Sequence, residues 1–116
     1  MTKVLILAMA VLCMAGMVHA EEKFGVPVYP GAKFDSATSK FVTDNFKVEV
    51  ACYRSGDSLA KIAEFYKKQS GIENMGVEKE GALFTRKNIN ITLQNPWMDM
   101  KTGKMNKDTL ISIGKQ

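Results

Sequence analysis

Within nine residues the chain places one indole and three thioethers, those of Trp97, Met98, Met100 and Met105. Soft sulfur ligands of this kind suit Cu(I) or Ag(I), and an indole face attracts a cation placed over it. The same residues serve two apolar readings. Trp97 and one or two of the methionines would cap a hydrophobic core where the segment crosses a sheet edge. Alternatively, the segment would present an exposed Met/Trp surface that grips an apolar partner.

Other reactive side chains are sparse. Cys52 ends an alternating apolar run, Phe46, Val48 and Val50, where a free cysteine behaves as a small buried hydrophobe. A reactive thiol would instead need exposure and a positive neighbour, and Arg54 lies on the same side of the strand if the strand continues. Lys101, Lys104 and Lys107 recur around Gly103, a pattern that suits anionic lipid or peptidoglycan and equally an ordinary solvated loop. Glu73, Glu78 and Glu80 read as surface residues flanking a hairpin, so nothing sets two carboxylates across a cleft. Asn90-Ile91-Thr92 matches a glycosylation sequon, but its place inside a strand makes the match a coincidence.

The N-terminus decides more than these motifs do. Lys3 precedes an uncharged apolar run from Val4 to Met17, Val18-His19-Ala20 sets small residues at the −3 and −1 positions, and Glu21-Glu22 opens a polar chain. That is the layout of a bacterial signal peptide cleaved after Ala20, and the run is short for a bilayer span of about 20 residues. Cys13 follows Leu12 inside the run, which does not fit lipid attachment. The expected product is an exported chain, periplasmic or secreted, over residues 21–116.

Cleavage removes one of the sixteen basic residues and none of the twelve acidic ones, leaving a charge of +3. It also removes the only histidine, His19, and leaves Cys52 as the only cysteine. Without histidine there is no Ser-His-Asp or Cys-His nucleophile and no Cys/His zinc site. One cysteine cannot close an internal disulfide, so hydrophobic burial must hold the fold. A charge of +3 with no basic stripe does not call for nucleic acid.

The 96 residues that remain suffice for one domain with one modest core. Two prolines and a Pro-Gly pair make residues 21–32 an irregular entry segment. Lys33 to Val42 reads as a first strand, and Phe46 to Tyr53 alternates cleanly as a second. Ser55-Gly56-Asp57-Ser58 starts a helix whose apolar stripe is Leu59, Ile62, Ala63, Phe65 and Tyr66, and Ser70-Gly71 stops it. Met75–Lys79, Ala82–Arg86, Ile89–Gln94 and Thr109–Ile113 read as strands, with a long loop over 95–108. The expected fold is α+β: an antiparallel sheet of about five strands with one amphipathic helix packed on one face. The other sheet face would meet solvent or a partner.

Two resemblances enter on these residues. Trp97, Met98 and Met100 are similar to the Trp/Met element of small periplasmic copper and silver chaperones, although those proteins add a histidine that residues 21–116 lack. Val26-Pro27-Val28-Tyr29-Pro30-Gly31-Ala32-Lys33, Ser55-Gly56-Asp57-Ser58-Leu59 and Phe65-Tyr66-Lys67-Lys68 together resemble small exported bacterial proteins of unknown function with a "YPGA" turn and a later "FY" helix. That resemblance makes Tyr29, Pro30, Gly31, Phe65 and Tyr66 structural residues and implies no activity. The functional expectation is therefore a non-enzymatic binding or interaction module, without cofactor, that contacts an unidentified protein or envelope component. The alternative is a soft-metal protein using Met98, Met100, Met105 and Trp97.

Overall fold

Alternation along the central strands sorts the molecule into two unlike faces. The computed structural model describes residues 21–116, so the signal peptide expected over 1–20 lies outside the described residues. The elements run β1 (Glu22–Lys23), β2 (Val26–Pro27), β3 (Lys33–Phe34), α1 (Ser36–Phe46), β4 (Val50–Ser55), α2 (Leu59–Lys67), β5 (Glu73–Val77), β6 (Gly81–Arg86), β7 (Ile89–Gln94), β8 (Trp97–Asp99), β9 (Lys104–Asn106) and β10 (Thr109–Lys115). Six strands form one antiparallel sheet in the order β3-β4-β10-β7-β6-β5, and β1–β2 and β8–β9 are separate two-stranded ribbons. Among the described residues the fold is α+β, with one strand more in its sheet than expected and two helices in place of one.

On the first face, Ala51 and Tyr53 of β4, Ile111 and Ile113 of β10, Ile91 and Leu93 of β7 and Phe84 of β6 form the principal core. Helix α2 covers it with Leu59, Ile62, Ala63 and Tyr66, as its spacing predicts. Ser58 caps the helix, its side-chain oxygen accepting the Lys61 N–H at 3.2 Å. The entry segment closes the same face and is less irregular than its prolines suggest. Tyr29-Pro30-Gly31-Ala32 is a tight turn in which Ala32 N–H donates to Tyr29 O at 3.0 Å. Gly31 takes φ +84°, a conformation that glycine adopts without strain. The turn and the Phe-Tyr pair meet directly: Tyr29 lies edge-on to Phe65 with ring centroids 5.3 Å apart, and Tyr66 Oη donates to Pro27 O at 3.0 Å.

Three sequence expectations are corrected here. Lys33–Val42 is not a strand: only Lys33 and Phe34 pair with β4, and Ser36–Phe46 is helix α1. Asp35 caps α1 by accepting the Thr38 N–H at 3.0 Å. The second strand accordingly starts at Val50, and Phe46 belongs to the end of α1. The expected loop over 95–108 contains the β8–β9 hairpin.

Helix α1 does the work of a missing strand along the outer edge of β4. Ser39 Oγ accepts the Cys52 N–H at 2.7 Å, and Thr43 Oγ1 lies 3.3 Å from Val50 O and 3.4 Å from Val50 N. Hydroxyls four residues apart share one helix face, which brings both onto the strand backbone. At the opposite edge, β5 carries a bulge between Asn74 and Gly76, and Asn74 Oδ1 accepts the Gly76 N–H at 2.9 Å.

Candidate functional site

The second face of the sheet is only partly covered. Val50 and Cys52 of β4 and Leu110 of β10 point into it and form a small second core with Trp97 and Val42. Farther along, Thr92 and Gln94 of β7 and Ser112 of β10 make a polar floor. Helix α1 stands on one side of that floor and the β8–β9 hairpin on the other. Between them runs a groove of about 450 Å³, within the range of small-molecule sites.

The groove's walls are apolar and exposed. Phe46 at the end of α1 is 56% exposed, and Met98 and Met100 on the hairpin are 56% and 53% exposed. Lys101 straps the two walls together: its Nζ lies 3.2 Å from Thr38 Oγ1 on α1 and 3.2 Å from Asp99 Oδ1, and 5.9 Å from the Phe41 ring centroid.

Trp97 departs from its methionine neighbours. It is buried, with its Nε1–H donating to Asp108 Oδ1 at 2.8 Å. Arg54 covers the indole, its guanidinium carbon 5.1 Å from the ring centroid, while Arg54 Nε donates to Asp108 Oδ2 at 2.8 Å. The cation position over the indole is thus taken by a residue of the chain itself. Met98, in contrast, pairs directly across the hairpin with Met105, and both are half exposed. Of the four residues singled out by sequence, the structure brings Met98 opposite Met105 and sets Met98 and Met100 on one groove wall. Trp97 lies in the second core.

A wider concavity of about 600 Å³ opens where β3 meets α1, lined by Lys33, Asp35, Arg54 and Asp108 among others. Three of these charges, Arg54, Asp108 and Asp35, are engaged with one another. Arg54 bonds Asp108 and lies 3.9 Å from the Asp35 carboxylate. Burial works to raise the Asp108 carboxyl, but hydrogen bonds from Arg54 and Trp97 outweigh it and hold the group below the ordinary carboxylate range. An ionised, paired carboxylate is a poor general acid. Cys52 is fully buried beneath α1, and burial pushes its thiol up against the lowering influence of Ser112 and Ser39. Arg54 does share its face, as strand alternation requires, but the Arg54 guanidinium is engaged with Asp108. The lysines of the hairpin divide in the same way: Lys101 is tied to α1 and Asp99, while Lys104 and Lys107 stand in solvent.

Sequence reasoning missed the α1 wall because the segment read as a strand. A signal was present: Ser39, Val42, Thr43 and Phe46 recur at helical spacing after the capping Asp35. Among the described residues no group of three or more His, Cys, Asp or Glu side chains is placed to hold a metal ion, and no helix is long and apolar enough to cross a membrane. Comparison with family models, curated proteins and solved structures finds no match for this chain.

Proposed function

We propose that residues 21–116 form an exported, non-enzymatic binding module whose ligand site is the groove between α1 and the β8–β9 hairpin. The observation that carries the reading is the gathering of Phe46, Met98 and Met100, all more than half exposed, around one concavity. Large apolar side chains left in water at a single concave place are characteristic of binding sites. The export half of the proposal is supported by the N-terminal apolar run and its small-residue cleavage site.

The lining suggests the ligand's class. Apolar walls above a floor of Thr92, Gln94 and Ser112 suit a small amphiphile, with its apolar body against Phe46 and the methionines and a hydrogen-bonding edge on the floor. Anilinonaphthalene sulfonate is a suitable probe, since it joins fused and single aromatic rings to one anionic group. Fluorescence titration should show saturable binding to the folded protein. Phe46→Lys should abolish it, while Val77→Lys on the far edge of the sheet should leave it intact. Unchanged binding in folded Phe46→Lys, or no binding by the parent protein, would remove the groove as the site.

A further inference from the structure

We infer that the β8–β9 hairpin carries a soft-cation site, with Met98 and Met105 as its primary ligands and Met100 as the third. Met98 and Met105 are direct partners in the antiparallel register. Side chains so placed leave one strand face with their Cβ atoms about 5 Å apart, so two flexible thioether arms can close on one ion. Both side chains are half exposed, which leaves their sulfurs accessible. Met100 follows at the first position of the turn and is equally exposed. The turn is held by Thr102 N–H and Gly103 N–H, which donate to Asp99 O at 3.2 and 2.7 Å, so the thioethers project from an ordered base.

The donor set selects the ion. Neutral, polarisable thioethers hold Cu(I) and Ag(I) and make poor ligands for hard cations. Trp97 has no part in the site, because its indole lies in the second core under Arg54. The site shares Met98 and Met100 with the groove wall but requires their sulfur, whereas the groove requires only apolar walls.

The test is an Ag(I) titration of the protein carrying methyl-labelled methionine, followed by NMR of the assigned methyl signals. Silver requires no reductant and so isolates ligand binding. The methyls of Met98, Met105 and Met100 should shift together and saturate at one equivalent, while Met75, on the edge strand, stays still. Met98→Leu and Met105→Leu should each lose the saturating shift, and Met105→Leu, which lies outside the groove lining, should still bind anilinonaphthalene sulfonate. An equal response at Met75, no saturating response, or an unaltered response in Met105→Leu would overturn the site. Loss of dye binding with retained silver binding would overturn the groove and leave the metal site standing.

Discussion

The three tyrosines of the chain show how single side chains are bound into the fold. Tyr29 is pushed up to about 12 by its hydrogen bond to Asp57 and by burial. Tyr53 is pushed up to about 12 by burial and the nearby Glu21 carboxylate. Tyr66, fully buried on the inner face of α2, is raised by burial as well. Each folded value lies above the unfolded tyrosine value of about 10. Their contribution to stability is therefore complete below that value and is lost as pH rises through the folded values. Phenolate absorbance should stay flat through pH 10 and appear only as the fold gives way, which a paired absorbance and circular dichroism titration will check. A normal phenolate titration near pH 10 in the folded protein would contradict the burial of these rings.

Helix α1 separates what the sequence discloses from what it hides. Alternation exposed β7 and the 3.6-residue stripe exposed α2, because in both the buried side chains are themselves apolar. The α1 segment, Ser36-Ala37-Thr38-Ser39-Lys40-Phe41-Val42-Thr43, is rich in residues of middling helix propensity, so its composition imitates a strand. Its hydroxyls are there because they satisfy backbone groups of β4, a long-range role that no local pattern reveals. The candidate site was half legible for the same reason: the methionine wall could be read from sequence, but the Phe46 wall and the burial of Trp97 depend on which elements meet. Ser39→Ala should leave the Cys52 N–H buried without its acceptor and destabilise the protein by about 1–3 kcal/mol. Urea unfolding will measure this. A change no larger than that of an ordinary surface substitution would mean the amide finds another partner.

At the scale of the whole molecule the sheet separates a buried core face from a face left partly open by a groove. Ile111 faces α2 and is fully buried, so Ile111→Ala should cost about 2–5 kcal/mol through lost contact and the remaining cavity. Phe46→Lys, on the groove wall, should stay within about 0.5 kcal/mol of the parent. Thermal unfolding of the two variants checks the division, and comparable losses in both would mean that the groove wall is part of the core.

The hydroxyls of Ser39 and Thr43 and the amide of Asn74 have a consequence for how the molecules keep apart from one another. A bare strand edge is a template on which a neighbouring chain can crystallise its own backbone, the first step toward fibres. Here one margin of the sheet is occupied by a helix of the same chain, and the other is bent by a bulge whose Gly76 amide is already taken from within. With no disulfide inside residues 21–116, the two sheet margins are thus shielded by a few short polar side chains.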